Sequence, residues 1–187
     1  VTERQGALFL VTSAGVKTQV TGVPAVVFAA QIGLHDIVLD PGHATNNRVW
    51  LSYAEAATGG QRIAVASATL NLAAAGAPAL QNLSVVWRST PATTGGHMAA
   101  RLAFAPDGRT LFISTGERQQ GAPAQDLSTT LGKIIRINPD GSPAAGNPFA
   151  ATPNARPEIF SYGQRNPLGI AFAADGRLFA SEMGPQN

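Results

Sequence analysis

The sequence contains no cysteine and few charged residues, and both absences limit what the protein can be. Without cysteine, disulfide bonds and thiolate metal sites are excluded. Charged residues make up only 13% of the chain, the formal net charge is +2, and no run of basic residues occurs, so nucleic-acid binding has no support. No apolar run approaches the ~18–20 residues that cross a bilayer as a helix, so we expect no membrane span.

The residues that are abundant indicate a β-rich globular protein. Hydrophobic residues make up 44% of the 187 residues, which is a globular composition and not a disordered one. The chain has 20 glycines and 13 prolines. Together with the low charge, these numbers favour many short strands joined by turns over helices with charged outer faces.

A strand–turn–strand pattern recurs along the chain and predicts an all-β repeat fold. Residues 101–117 read RLAFAPDGRTLFISTGE, and residues 169–184 read GIAFAADGRLFASEMG. Each copy has an Asp-Gly pair between two apolar segments, which suits a tight hairpin because glycine accepts a positive φ. A looser third copy covers residues 35–55. Recurrent units of this kind are typical of a β-propeller or of another β-repeat fold.

The repeats are spaced more widely than the ~40–50 residues of compact blades, so we expect long inserted loops at 118–131 and 142–157. We predict that Asp126 anchors the first loop through an Asx turn, and that Lys133 and Arg136 lie on a strand and face solvent or partner loops. Segments 54–60 and 72–80 are expected to be turns. Further strands are predicted at 61–69, 83–88, 133–138 and 158–162. No domain boundary is evident.

Several longer motifs now allow a comparison with a known family. The segments QIGLHDIVLDPGHATNNRVWLSYAE, HMAARLAF, AQDLSTTLGKIIRINPDGS, PEIFSYGQRNPLGIAF and SEMGP occur in that order. This set resembles the soluble PQQ-dependent glucose/sorbosone (aldose sugar) dehydrogenases. The resemblance implies a six-bladed β-propeller that holds PQQ and Ca²⁺ on its top face. We expect residues 1–187 to be a partial domain of about three blades, truncated at both ends, which would be unstable and inactive alone.

The resemblance gives three residues catalytic roles. His97, in GGHMAAR, would take the proton from the C1 hydroxyl of a sugar; without the resemblance, its sequence context favours an exposed loop histidine. Glu117 would orient that imidazole, although without the resemblance it is a solvated turn carboxylate. Arg165 would stabilise negative charge on the quinone. Neither His35 nor His43 is expected to be catalytic.

The resemblance also supplies ligands. Gln31, Arg165 and Asn166 are expected to contact PQQ, and the main-chain carbonyls of Gly184 and Pro185 to bind Ca²⁺. Three positions depart from the family pattern close to these ligands, because Gln164, Leu168 and Met183 replace the residues commonly found there.

The function implied is oxidation of an aldose to a lactone with hydride transfer to PQQ. The partners implied are an aldose sugar and an external electron acceptor, and the family suggests a periplasmic or secreted location. Two alternatives stay open. One is a non-enzymatic extracellular binding module built on the same propeller, since fold does not fix function. The other is a calcium-dependent propeller lactonase, although no acidic ligand set is evident in the motifs.

Overall fold

The computed structural model describes residues 1–72 and 76–184, and within these residues thirteen strands form four antiparallel sheets. A four-residue helix α1 (His43–Asn46) and a 3-10 turn (Ala122–Ala124) are the helical elements of these residues. The strands are, in chain order, β1 (Thr2–Glu3), β2 (Ala7–Val11), β3 (Lys17–Val20), β4 (Leu34–Leu39), β5 (Arg48–Ala57), β6 (Gly60–Asn71), β7 (Ala79–Arg88), β8 (Ala99–Phe104), β9 (Leu111–Thr115), β10 (Lys133–Ile137), β11 (Ile159–Tyr162), β12 (Pro167–Phe172) and β13 (Leu178–Glu182).

Each sheet is a meander in which strands that follow one another in sequence are hydrogen-bonded neighbours. The orders are β1-β2-β3, β4-β5-β6-β7, β8-β9-β10-β11 and β12-β13. The first strand of each sheet lies against the first strand of the next, so that β1, β4, β8 and β12 form one inner row. Sheets that radiate from a shared row of inner strands are the architecture of a β-propeller, and the chain forms part of one, as the sequence pattern predicts.

The two main cores lie between successive sheets, and β5 contributes to both. Val49 and Leu51 pack into a core shared with the β1–β3 sheet, whereas Trp50 packs into the core shared with the β8–β11 sheet. Successive side chains of a strand point to opposite faces, so a sheet packed on both sides needs apolar residues at every position. This is why the central strands read as continuous apolar segments.

The Asp-Gly hairpins form as predicted. Asp107 Oδ1 accepts the backbone N–H of Arg109 at 3.0 Å, and Asp175 Oδ1 accepts that of Arg177 at 3.1 Å. In both turns, an aspartate side chain closes the loop between two antiparallel strands through the same kind of hydrogen bond. The Asx turn predicted at Asp126 is also present, with Ser128 as the donor.

Other parts of the sheet pattern differ from the prediction. β1, β2 and β3 were not predicted, because β1 is two residues long and β3 is exposed along most of its length. Segment 54–60 is mainly strand, since β5 extends to Ala57 and β6 begins at Gly60. Ala54 is completely buried, so small residues here serve close sheet packing. In segment 72–80, residues 73–75 lie outside the described residues and β7 begins at Ala79.

Of the two surroundings predicted for Lys133, solvent or partner loops, the structure shows a loop. Lys133 is the first residue of β10 and is completely buried, with its ammonium group surrounded by backbone carbonyls. Arg136, on the same strand, is partly exposed and donates to the carbonyl of Ala145 in the adjacent loop. In the described part of the chain, no helix has the length and apolar character needed to cross a membrane.

Candidate functional site

The candidate site residues gather at one end of the inner row of strands. Gln31 precedes β4, His97 precedes β8, and Asn166 immediately precedes β12. Each inner strand pairs with an antiparallel neighbour, so the chain returns to the same edge where that neighbour ends. Glu117 therefore follows β9 close to His97, and Gly184 follows β13 close to Asn166.

His97 and Glu117 form a buried acid–base pair. Each residue is 4% exposed, and His97 Nδ1 is hydrogen-bonded to Glu117 Oε1. The other carboxylate oxygen, Oε2, accepts the backbone N–H of Gly121 at 2.5 Å. Both oxygens of the carboxylate thus take part in hydrogen bonds, which fix the orientation of Glu117. The bond to Nδ1 in turn fixes the orientation of the imidazole ring.

The charge of the Glu117 carboxylate determines which imidazole nitrogen of His97 can accept a proton. Burial alone would raise the pKa of Glu117, but the hydrogen bonds that its carboxylate accepts from Gly121 and His97 bring that pKa below its ordinary value. An ionised carboxylate only accepts hydrogen bonds, so Nδ1 of His97 carries the proton. The unprotonated Nε2 is then the nitrogen that can act as a base.

The backbone around His97 is held in an uncommon conformation. The φ angles of His97, Ala99 and Ala100 are 44°, 59° and 65°, in the left-handed region that non-glycine residues rarely adopt. Such positions cost on the order of 1–3 kcal/mol each and persist only where neighbouring contacts impose them. Two hydrogen bonds are among these contacts. Gln31 Oε1 accepts the His97 N–H at 2.9 Å, and Ser52 Oγ donates to the Ala100 carbonyl at 2.5 Å.

A cavity of about 480 Å³ opens beside the pair. Arg165 lines the same cavity, and its Nη1 donates to the carbonyls of Met183 at 2.8 Å and Gly184 at 3.4 Å. The structure thus brings the His97 imidazole and the Arg165 guanidinium to one cavity, and the Gly184 carbonyl lies within hydrogen-bond distance of that guanidinium. The lining residues are His97, Glu117, Gln119, Gly121, Ala124, Gln125, Gly163 and Arg165.

The other two predicted cofactor ligands line a second cavity of about 300 Å³. Gln31 and Asn166 lie there, together with Met98 and Ala99, so the His97 segment contributes to both cavities. Asn166 is 2% exposed, and its Oδ1 is buried without a hydrogen-bond partner. Buried polar atoms are normally paired, so this unpaired oxygen beside the second cavity is an uncommon feature.

These residues fit a planar quinone that carries carboxylates. Arg165 offers a planar fork of donors, which suits a carboxylate or a quinone oxygen. Gln125 lines the same cavity, and Asn166 lines the neighbouring one.

The described residues do not by themselves fit Ca²⁺. Pro185, one of the two predicted ligands, lies outside the described residues, and the carbonyl of Gly184 accepts from the cationic Arg165. Within residues 1–72 and 76–184, no group of three or more His, Asp or Glu side chains could hold a metal ion.

The sequence did not single out several residues of the site. Gln119, Gly121, Ala124 and Gln125 all come from the loop between β9 and β10. The signal for them was the length of that loop, because loops this long in a compact domain are usually functional or mobile, but its residues carry no pattern that marks a cavity wall.

Arg118, from the same loop, is also buried. Its Nη2 donates to the carbonyl of Gly95 at 2.6 Å, which ties the loop to the segment before His97. Burial lowers the pKa of Arg118 to about 10.

Comparison with known proteins agrees with this architecture. The family model described as Glucose / Sorbosone dehydrogenase matches residues 1–187. The chain is 38% identical over 175 residues to the "Aldose sugar dehydrogenase YliI" of Escherichia coli (strain K12), a match that covers 92% of this chain and 46% of the relative.

Solved structures give the same result. A crystal structure of a glucose dehydrogenase superposes with a TM-score of 0.93 at 35% identity, covering 99% of this chain and 54% of that protein. The PQQ-bound aldose sugar dehydrogenase of Streptomyces coelicolor has a TM-score of 0.81 at 33% identity, covering 96% and 51%. The chain thus spans about half the length of the relatives it matches. It belongs to the glucose/sorbosone dehydrogenase family.

Proposed function

We propose that the full-length protein oxidises the C1 hydroxyl of an aldose sugar to a lactone, with His97 as the general base and PQQ as the cofactor. The observation that carries this proposal is the buried His97–Glu117 pair, whose imidazole faces a cavity that Arg165 also lines. The homology of the chain to sugar dehydrogenases, and the PQQ-bound state of one structural neighbour, support the substrate class and the cofactor.

Proton removal would fall to His97. Nδ1 donates to Glu117, so Nε2 accepts the proton of the C1 hydroxyl as the C1–O bond becomes a carbonyl. The imidazole becomes positively charged in this step, and the adjacent carboxylate, which is buried beside it, stabilises that charge. When bound, PQQ would accept the hydride that leaves C1.

Arg165 would bind and orient the cofactor. Its Nη1 is held by the carbonyls of Met183 and Gly184, and its backbone N–H donates to Glu182 Oε2 at 2.9 Å, so the side chain is fixed from both ends. A guanidinium fixed in advance stabilises developing negative charge without having to reorganise. Gln31 and Asn166 would provide further contacts from the second cavity.

The test is reconstitution of the full-length protein with PQQ, with and without Ca²⁺, followed by dye reduction with several aldoses. We expect sugar-dependent reduction that His97→Gln abolishes. The matched control is His43→Gln, because His43 lies in α1, outside both cavities.

Two results would overturn the proposal: no dye reduction with any aldose, or full activity of His97→Gln. An absorbance change on PQQ titration without any sugar oxidation would point instead to the non-enzymatic binding module. Hydrolysis of a lactone without PQQ would point to the lactonase.

A further inference from the structure

The charged group that the proposed chemistry leaves unexplained is the ammonium of Lys133. This side chain is completely buried, yet no ion pair joins it to a carboxylate within the described residues. Its Nζ donates to three backbone carbonyls, those of Pro123 at 2.8 Å, Ala124 at 3.0 Å and Leu131 at 2.6 Å. Burying a charge is costly, so such a group is retained where its hydrogen bonds fix something that matters.

The three carbonyls belong to the loop that builds the site. Pro123 and Ala124 form the 3-10 turn, and Ala124 lines the His97 cavity. Leu131 ends the loop next to β10. The ammonium therefore ties the middle of the loop to its end, using all three of its N–H donors. Gly163 donates to the same Ala124 carbonyl at 2.9 Å, which attaches the turn to the chain that leads into β12.

The residue that precedes the 3-10 turn binds Glu117. Gly121 immediately precedes the 3-10 turn, and its backbone N–H is the donor to Glu117 Oε2 at 2.5 Å. A continuous series of contacts thus runs from the Lys133 ammonium through the turn to the carboxylate, and from there to His97 Nδ1. If the turn moves, the bond from Gly121 that helps to orient the carboxylate is lost.

We propose that Lys133 is a positioning residue for the His97–Glu117 pair: its ammonium holds the Ala122–Ala124 turn where Gly121 can bind the carboxylate. The catalytic consequence of this role rests on the proposed function, but the positional role does not. A displacement of about 1 Å at a catalytic group can lower a rate by about 10²-fold, so a group remote from the reaction can still control it.

The experiment is Lys133→Met in the full-length protein. Methionine fills a similar volume but donates no hydrogen bond. The control is Lys17→Met, because Lys17 is the chain's other lysine and lies exposed on β3. We expect three changes at Lys133: faster amide hydrogen exchange at Gly121, loss or broadening of the His97 Nδ1 proton signal in the NMR spectrum, and a fall in kcat of about 10- to 100-fold with little change in sugar KM. A His97→Gln variant assigns the signal to His97.

A purely structural role for Lys133 predicts a different result. A lower Tm with an unchanged Nδ1 signal and unchanged Gly121 exchange would overturn the proposal. Should Lys133→Met fail to fold, Lys133→Gln gives the same test, because a shorter amide can reach fewer of the carbonyls; unchanged readouts in that variant would overturn it too. The NMR and exchange measurements need no turnover, so they stay decisive if the wild-type protein oxidises no sugar, a result that would reject only the proposed function.

Discussion

The side-chain oxygen of Gln31 accepts the backbone N–H of His97 at 2.9 Å, across 66 positions of sequence. Gln31 comes from the segment before the inner strand of one sheet, and His97 from the segment before the inner strand of the next. This bond links two sheets at the point where the proposed base sits. It also helps to hold His97 at its positive φ, so Gln31 supports the geometry of the site as well as facing the second cavity.

Gln31→Leu should therefore weaken the site even if Gln31 never touches a cofactor. The His97 N–H would lose its acceptor, at a cost of about 1–3 kcal/mol in the free energy of unfolding. We expect a lower Tm and a lower kcat, measured by calorimetry and dye reduction. Gln19→Leu, on exposed β3, is the matched control and should change neither. Equal Tm and kcat values for the two variants would show that the hydrogen bond between Gln31 and His97 contributes to neither stability nor activity.

Glu117→Gln should separate the charge of the carboxylate from its shape. The amide can still bond to Gly121 or to His97, but it cannot stabilise an imidazolium. We expect kcat to fall by about 10²–10⁴-fold while the fold is kept. Glu3→Gln, at an exposed ion pair with Lys17, serves as the control. Retention of most of the activity in Glu117→Gln would mean that this carboxylate does not assist the base.

The same carboxylate should make stability fall in acid. The pKa of Glu117 is below its ordinary value in the folded protein, so the unfolded chain binds this proton more readily. The stabilisation is present above the ordinary pKa and is lost as the pH falls through the lower, folded-state pKa. Denaturant unfolding at a series of acidic pH values should show a smaller loss for Glu117→Gln than for the wild type; parallel curves would contradict this.

Arg165→Met should lower affinity for PQQ more than stability. The guanidinium lines the cavity and is the proposed partner of a carboxylate or quinone oxygen. Loss of a charged hydrogen bond of about 1.5–3 kcal/mol corresponds to roughly a 10- to 100-fold rise in Kd. Titration of the apoprotein with PQQ measures this. Arg177→Met, at an exposed hairpin turn, is the control, and equal Kd values for the two variants would remove Arg165 from the binding site.

His35 should be a second source of acid sensitivity. Burial, together with the nearby Arg101, Arg118 and Arg4, lowers the pKa of His35 to about 4, and its buried Nε2 has no hydrogen-bond partner. Between about pH 6.5 and 4 the unfolded chain binds a proton at this residue that the folded protein does not, so the free energy of unfolding falls as the pH falls through that range.

His35→Leu should remove this dependence, which is on the order of 2 kcal/mol across the range. Leucine leaves no polar atom unpaired, so we expect the variant to unfold at higher denaturant concentration than the wild type at pH 5, with a smaller difference at pH 8. A difference that is the same at both pH values would show that His35 does not titrate between the folded and unfolded states.

The sequence by itself determined the repeat and much of the site. The Asp-Gly turns between apolar segments predicted the hairpins of β8–β9 and β12–β13, because local backbone geometry requires a glycine there. The order of the motifs identified His97, Glu117 and Arg165, which the fold brings to one cavity. The hairpins depend on residues that are close together in sequence, and the site residues were identified from the order of the motifs along the chain.

Only the tertiary structure decided which polar groups are buried and what they hold. Lys133 sits at the start of an apolar strand, where a lysine is ordinarily exposed, and its three acceptors exist only because the loop folds back over it. Gln31 and His97 meet only once two sheets are packed side by side. Burial and long-range hydrogen bonding depend on how the sheets assemble, and no local run of residues specifies that assembly.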